Sequence, residues 1–147
     1  MSEDRVGPRL GVKEGSRIRL LEAPVGFDRR LDPLPKDAGV TTVTPRSMQD
    51  LIVLFAMSRA ALGELFPRAT HHLAPRGCLW AAWPRKSSGV FTDLTEEQVR
   101  AVGLASGLVD NKIIALDEVW AGLRFIFKER DRLYTPTSIE AIAPPEA

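Results

Sequence analysis

The first third of the chain is a series of short apolar stretches separated by polar and proline-rich segments. Residues 16–21 alternate apolar side chains with arginines, which predicts a strand with one wetter face. Residues 39–44 contain five β-branched side chains, which favours a short second strand that Pro45 ends. Residues 51–55 form an uninterrupted apolar run, as expected for a strand that helices cover on both faces. This part of the chain therefore predicts three strands.

The second half of the chain predicts three more strands. Residues 78–83 are apolar throughout, residues 112–116 place four apolar side chains after Lys112, and residues 120–127 alternate like a half-exposed strand. Only residues 117–119 separate the last two strands. Because a parallel crossover needs a dozen or more residues, these two strands are expected to be antiparallel.

Two helices lie between the apolar strands. Ser58 can cap the first helix, and the apolar side chains of that helix recur at helical spacing. Pro67, inside that pattern, predicts either a kink or the start of a second short helix. Residues 74–77 then read as a turn. Thr95 with Gln98 has the spacing of a capping box, which marks the start of the second helix.

Strands that alternate with helices predict an α/β fold with a mainly parallel sheet, helices on its faces and an antiparallel final strand. Residues 23–36 contain three prolines, so we expect a loop there rather than a helix. At 147 residues the chain is expected to be one domain, at residues 10–130. We expect a flexible leader at residues 1–9 and a flexible tail at residues 131–147.

Composition excludes some classes of function. The 20 Lys and Arg residues and 19 Asp and Glu residues give a formal net charge of +1, whereas nucleic-acid binders depend on a clear basic excess. No apolar run approaches the ~20 residues that cross a bilayer, and the polar start lacks the features of a secretory signal. We therefore expect a cytoplasmic protein that binds neither nucleic acid nor membrane.

The order of elements resembles the second half of a class I methyltransferase, the type that binds S-adenosylmethionine. The sequence DLIVLF at residues 50–55 looks like the fourth strand of that fold. The sequence LAPRGCLW at residues 73–80 is similar to the L-x-P-G-G-x-L approach to its fifth strand, with Arg76 in place of one glycine. The resemblance implies a Rossmann-like, methyltransferase-type three-layer sandwich that is truncated in its N-terminal half.

A longer resemblance covers residues 10–128 and is to a family of small, mostly actinobacterial proteins known as domain of unknown function 3052. It is carried by LGVKEG at residues 10–15, APVGF at 23–27, LWAAWPRKSSG at 79–89, GLVDNK at 107–112 and WAGLR at 120–124. This resemblance implies a bacterial protein but no particular activity.

An adenosyl cofactor needs a close backbone approach after the first strand, which glycines provide. Here that turn reads LEAPVGF at residues 21–27, with Gly26 as its only glycine and with Pro24 removing an N–H donor. The acid that a methyltransferase places after its second strand is absent from residues 43–45, and a proline-rich loop stands where a helix is expected. The sequence therefore predicts no bound cofactor, S-adenosylmethionine included.

The best candidate for a binding site follows the strand at residues 78–83. Ligands of open α/β sheets bind at the carboxyl ends of the strands. Cations, hydroxyls and a flexible backbone come together there in a set that suits a small anion: Trp83, Arg85, Lys86, Ser87, Ser88 and Gly89. The alternative is a solvated polar loop. Trp83 can wall a pocket at this strand end, whereas Trp80 is expected in the core.

A second set of residues, around the turn between the last two strands, is a possible support for this binding site. Asp117 and Glu118 could take up a proton or a cation, or form a tight turn beside a packed Trp120. Arg124 lies on the wetter side of its strand and could pair with either acid, in an exposed ion pair worth ~0–1 kcal/mol.

Metal and nucleophile chemistry find little support in the sequence. His71 and His72 are the two histidines of the chain, and neighbours on a helix do not face a common metal. Cys78, the single cysteine, is expected to be buried and inert, and alone it forms neither a disulfide nor a cysteine metal cage. We therefore expect no metal site.

Three functions stay open at this point. The first is a non-catalytic module on a methyltransferase-like scaffold that binds a partner protein or a small anion. The second is an enzyme of unknown substrate that uses Lys86, Asp117 and Glu118. The third is a structural homodimer subunit that pairs through the exposed edge of the last strand. The missing glycines and the intact core pattern favour the first.

Overall fold

The computed structural model describes residues 5–43 and 46–128. Its strands are β1 (Arg17–Leu21), β2 (Gly39–Thr41), β3 (Gln49–Phe55), β4 (Leu73–Pro84), β5 (Leu108–Ala115) and β6 (Trp120–Phe127). They form one sheet in the order β2-β1-β3-β4-β6-β5. The pairs β1–β2, β1–β3 and β3–β4 are parallel, whereas β6 is antiparallel to both of its neighbours. The mixed sheet confirms the predicted fold class, including its antiparallel final strand.

Helices cover both faces of this sheet. They are α1 (Gly7–Leu10), α2 (Arg59–His71) and α3 (Glu96–Ala105), and short 3-10 helices lie at Phe27–Leu31 and Lys86–Ser88. Apolar side chains of α2 and α3 pack on one face of the sheet, and those of α1 and the Phe27–Leu31 helix pack on the other. The result is the three-layer arrangement that the sequence predicted.

The helix boundaries follow from local side-chain chemistry. The Ser58 hydroxyl accepts the N–H of Ala61 at 3.1 Å, which caps α2. Thr95 and Gln98 form the predicted capping box at the start of α3. The helix α2 continues through Pro67 to His71, so no second helix begins at the proline.

The start of β4 differs from the prediction. Residues 74–77 were expected to form a turn but belong to the strand, which begins at Leu73. The pairing register of β3 and β4 shifts between Gln49 and Leu51, which accommodates the irregular start. A Cβ at Gly77 would lie 2.7 Å from the Asp50 carbonyl oxygen. The glycine is therefore needed for the close approach of two strands and not for a turn.

The described part of the predicted flexible leader, residues 5–9, also differs from the prediction, whereas residues 1–4 lie outside the described residues. Val6 and Leu10 are fully buried, and Gly7–Leu10 forms α1. The Leu10 carbonyl accepts the indole N–H of Trp80 at 3.0 Å, which ties α1 to the centre of β4. Apolar side chains at residues 6 and 10 therefore bring this segment into the core. The predicted tail, residues 131–147, lies outside the described residues.

Two further expectations are corrected by the order of the strands and helices. The alternation in β1 predicted that its arginines face water, yet Arg19 is only 7% exposed because it lies on the face that α2 covers. The last strand, β6, lies between β4 and β5, so the exposed edge proposed for a homodimer belongs to β5 instead.

Candidate functional site at the carboxyl edge of the sheet

Three aromatic side chains lie along the carboxyl edge of the sheet, and we call Phe27, Phe55 and Trp120 the aromatic row. The Phe27 and Phe55 rings meet edge-to-face with centroids 4.8 Å apart, and Phe55 meets Trp120 in the same way at 5.1 Å. Phe27 and Phe55 are each 3% exposed. The chain leaves β1 and β3 towards opposite sides of the sheet, and the crevice between such strand ends is where open α/β sheets bind ligands. The contact of Phe27 with Phe55 lies at that crevice, and Trp120 extends the row towards the end of β4.

Arg30 holds the loop after β1 against this edge. Its guanidinium lies 2.9 Å from the Asp117 carboxylate and donates to the Leu116 carbonyl at 2.7 Å. The same guanidinium lies 5.5 Å from the centroid of the Phe27 ring. Cation–π contact and the ion pair together fix the Phe27–Leu31 helix over the strand ends. The loop of residues 23–38 thus covers the edge of the sheet.

Asp117 organises the turn between β5 and β6. One carboxylate oxygen accepts the N–H groups of Val119 and Trp120, each at 2.8 Å. The other oxygen faces Arg30, and the Asp117 carbonyl accepts from the Arg85 guanidinium at 2.9 Å. Because both carboxylate oxygens already have partners, the geometry favours the tight turn over an acid–base group.

A broad groove of about 970 Å³ lies beside the end of β4, and we call it the carboxyl-edge groove. The structure brings five of the six residues predicted for an anion site to its wall, namely Trp83, Arg85, Lys86, Ser87 and Gly89. The wall also includes Phe91, which is 89% exposed, Ile113, which is 46% exposed, and the carboxylates of Asp93, Glu96 and Glu97. Apolar surface and charges of both signs therefore meet in one groove.

Hydrogen bonds already engage part of the predicted anion set. The Arg85 guanidinium donates towards the turn at Asp117 rather than into the groove. The Ser88 hydroxyl donates to the Arg85 carbonyl at 2.6 Å and accepts the N–H of Val90 at 3.1 Å. Lys86 is exposed. Arg85 and Ser88 therefore shape the loop, and Lys86 is left as the cation that faces solvent here.

The ion pair suggested for Arg124 is wrong. Its guanidinium donates to the Asn111 side-chain oxygen at 3.1 Å and not to Asp117 or Glu118. In the sheet register Arg124 lies opposite Trp80, well along β6 from the turn that holds both acids. The sequence distance between Arg124 and these acids is short, but an extended strand carries the arginine away from them.

Cys78 and Trp80 belong to the core. Burial raises the pKa of the Cys78 thiol, which keeps it in the unreactive neutral form. Trp80 is fully buried, which confirms its predicted place. Within residues 5–43 and 46–128 no three His, Cys, Asp or Glu side chains come close enough to hold a metal ion.

The sequence interpretation missed residues that shape this edge. Phe91 is a lone aromatic in the polar stretch after β4, and its exposure could have been suspected from that position. Ile113 reaches the groove only because β5 pairs with β6, and Phe27 meets Phe55 only because β1 pairs with β3. No local signal in the sequence marks either of these contacts.

Comparisons with known proteins show the fold. No family model and no curated protein matches the chain. A SAM-dependent methyltransferase from Aquifex aeolicus matches 84% of this chain and 88% of its own, at 13% identity and a TM-score of 0.57. Fibrillarin from Aeropyrum pernix, which natively binds S-adenosyl-L-methionine, matches 85% of this chain and 76% of its own, at 14% identity and a TM-score of 0.61. A ribosomal protein L11 methylase from Lactobacillus delbrueckii subsp. bulgaricus matches 83% of this chain and 74% of its own, at 14% identity and a TM-score of 0.53.

The chain therefore has the Rossmann-like fold of the class I methyltransferases. At these identities the likeness concerns the fold alone. The resemblance to the family known as domain of unknown function 3052 stays a prediction, since no family model matches. In the described part of the chain, no helix has the length and apolar character needed to span a membrane.

The residues at the expected cofactor position do not fit an adenosyl cofactor. After β1, Glu22 takes a left-handed conformation with φ of 57°, where a glycine would be free of strain. Pro24 has no N–H, and its carbonyl accepts the N–H of Phe27 at 3.0 Å. After β2, residues 41–43 offer no carboxylate for a ribose. The cradle of backbone donors that a nucleotide needs is thus not formed by these residues.

Proposed function

We propose that this chain is a non-catalytic binding module that keeps a methyltransferase-type fold and binds a partner protein at the carboxyl-edge groove. The observation that carries the proposal is the edge-to-face packing of Phe27 on Phe55 in the crevice between β1 and β3. A ligand could enter that crevice only by displacing two rings that are each 3% exposed. The core packing of this protein thus uses the space in which the fold elsewhere holds a ligand.

The carboxyl-edge groove suits a partner protein better than a small anion. Its volume of about 970 Å³ lies at the top of the ~300–1,000 Å³ range of small-molecule pockets. Phe91, at 89% exposed, is the kind of aromatic anchor that protein interfaces bury. Of the acids in the groove wall, Glu96 is paired with Arg100 at 2.6 Å and Asp93 accepts the N–H of Arg59 at 2.8 Å. Glu97 remains as the acid of the wall that a basic side chain of the partner could reach. We infer that the partner presents a segment with an apolar anchor and a basic side chain.

The enzyme alternative has weaker support. It requires Lys86, Asp117 and Glu118 to act on one substrate, but Asp117 is engaged by Arg30 and by two backbone N–H groups. Asp117 and Glu118 are also not part of the groove wall that holds Lys86. The three groups therefore do not converge on one space.

The absence of cofactor binding is tested by thermal unfolding with S-adenosylmethionine and with S-adenosylhomocysteine. A ligand at 100 times its dissociation constant adds ~2.7 kcal/mol of stability, which is a clear rise in Tm. We expect no rise at millimolar ligand. A saturable rise that both compounds share would contradict the proposal.

The groove is tested by selecting peptides from a phage-displayed library on the immobilised full chain. We expect enriched peptides to combine an aromatic or large aliphatic side chain with a basic one, and to lose binding to Phe91→Ser. Val25→Ser is the matched control, because Val25 is fully exposed but lies outside the groove wall. Peptides that bind both variants equally, or a selection that enriches none, would overturn the groove as the binding surface.

A further inference from the structure

A second cavity, which shares no lining residue with the carboxyl-edge groove, lies between β1, β3 and the last turn of α2. Its volume is about 140 Å³, several times the ~30 Å³ that one water molecule occupies in the liquid. Leu21 and Ile52 form part of its apolar floor. The polar side chains of its wall are all basic or imidazole groups, namely Arg19, Arg68, His71 and His72. We call these four residues the basic cluster.

Two members of the basic cluster carry buried nitrogen atoms without a hydrogen-bond partner. These atoms are Arg19 Nε and His71 Nδ1. Arg19 is only 7% exposed, and its Nη1 donates to the Val43 carbonyl, which fixes one side of the guanidinium. Leaving a buried polar group without a partner costs ~1–3 kcal/mol, and more for a charged group. Both residues belong to the wall of one cavity, so these two side chains with unsatisfied nitrogens stand beside a space that could hold a hydrogen-bonding occupant.

The basic side chains of the cavity wall also indicate an anionic occupant. Within the described residues, no ion pair joins Arg19, His71 or His72 to an acid. Arg68 lies 3.9 Å from Glu64, and both of those side chains are more than half exposed. Burial, followed by the charge of Arg68, lowers the pKa of Arg19. The buried guanidinium therefore lacks a counter-charge that the described chain could supply.

We propose that the basic cluster binds a small oxyanion, a phosphate or carboxylate group, between Arg19 and the two histidines. Such a group supplies the missing negative charge and accepts hydrogen bonds from the guanidinium and from any imidazole nitrogen that carries a proton. The cavity accommodates an anion of a few heavy atoms and not a nucleotide. The site is separate from the groove, so it does not depend on the proposed function of that surface.

His72 makes this binding dependent on pH. His72 faces Arg19, His71 and Arg68, and its pKa is lowered by burial first and by the charges of His71 and Arg19 as well. The carbonyl of Arg68, 3.3 Å from His72 Nδ1, and the C-terminal end of α2 act in the opposite direction and favour the protonated ring. A bound anion would also favour the protonated ring. Binding therefore takes up a proton and strengthens as pH falls below about 6.5.

The experiment follows the imidazole ring carbons by NMR while inorganic phosphate is added. The chain has only two histidines and both lie in the basic cluster, so every histidine signal reports on the site. We expect the signals of both rings to shift saturably and the apparent pKa of His72 to rise. Sodium chloride at matched ionic strength is the control, and acetate and glycerol phosphate, added separately, distinguish carboxylate from phosphate ligands.

Variants separate the site from general charge effects. We expect Arg19→Gln and His71→Gln each to weaken phosphate binding at least tenfold, whereas Lys86→Gln, a cation in the groove, leaves it unchanged. If Arg19→Gln does not fold, His71→Gln gives the answer alone, because His71 lies at the less buried end of α2. Histidine signals that move equally with chloride and with all three anions would overturn the proposal. Equal binding by wild type and His71→Gln would overturn it too.

Discussion

Gly103 in α3 lies directly against the ring of Phe125 in β6, with no space for a side chain between them. Three ring atoms of Phe125 would clash with a Cβ at this position. Phe125 is also fully buried and packs edge-to-face on Phe66 of α2, with centroids 5.3 Å apart. The glycine therefore sets how closely α3 approaches the sheet.

We expect Gly103→Ala to destabilise the fold by ~1–3 kcal/mol, because the added methyl group must push the helix or the ring away. The matched control is Gly63→Ala in α2, where a Cβ meets nothing within 4 Å. Alanine has the higher helix propensity, so this change should stabilise the protein by up to ~1 kcal/mol. Urea unfolding of the two variants measures both effects, and equal stabilities would contradict the packing.

Phe27 and Val25 should differ in their contribution to stability, although only Gly26 separates them in the chain. Phe27→Ala removes a buried ring and its contact with Phe55, so we expect a loss of ~3–5 kcal/mol. Val25 is fully exposed, and Val25→Ala should change stability by less than ~0.5 kcal/mol. Denaturant midpoints provide the comparison. A Phe27→Ala variant as stable as Val25→Ala would mean that the ring does not fill the crevice.

Asp117 should stabilise the fold through the hydrogen bonds of its turn more than through its charge. Asp117→Ala leaves the N–H groups of Val119 and Trp120 without their acceptor, so we expect a loss of ~1–3 kcal/mol. Asp117→Asn keeps one side-chain oxygen and weakens only the contact with Arg30, so its loss should stay below ~1 kcal/mol. Chemical unfolding distinguishes the two, and losses of equal size would show that the ion pair dominates.

The lowered pKa of His72 has a consequence for stability. Burial, with the charges of His71 and Arg19, makes the folded state bind this proton less readily than the unfolded chain does. The unfolded state therefore takes up more protons as pH falls below about 6.5, and the folded state loses stability there. We expect His72→Gln to flatten the dependence of unfolding free energy on pH between 7.5 and 5.5. An unchanged slope in the variant would show that His72 does not titrate as described.

Features set by neighbouring residues could be predicted from the sequence. The capping box of Thr95 and Gln98 and the antiparallel return of β6 after a short turn are local, and the structure confirms both. Arg19 was misjudged because its burial depends on α2, which begins 40 residues later in the chain. Local alternation cannot reveal which face of a strand a distant helix will cover.

In the candidate site, too, local features could be predicted from the sequence and contacts between distant residues could not. The loop after β4 was found because strand ends and polar residues are visible in the sequence, and its residues do meet at one groove. The partners of that loop were not visible, since Arg85 donates to a carbonyl 32 residues away. The order of the last two strands, with β6 inside and β5 at the edge, also follows from pairing that no local pattern encodes.

The central claim is that packed aromatic rings replace a ligand at the crevice between β1 and β3. The most direct measurement follows the backbone amide signals of the loop after β1 by NMR while S-adenosylmethionine is added to millimolar concentration. We expect the amide signals of Glu22, Gly26 and Phe27 to stay where they are. Saturable shifts confined to those amides and to residues at the end of β3 would show that the rings give way to the nucleoside, and would contradict that claim.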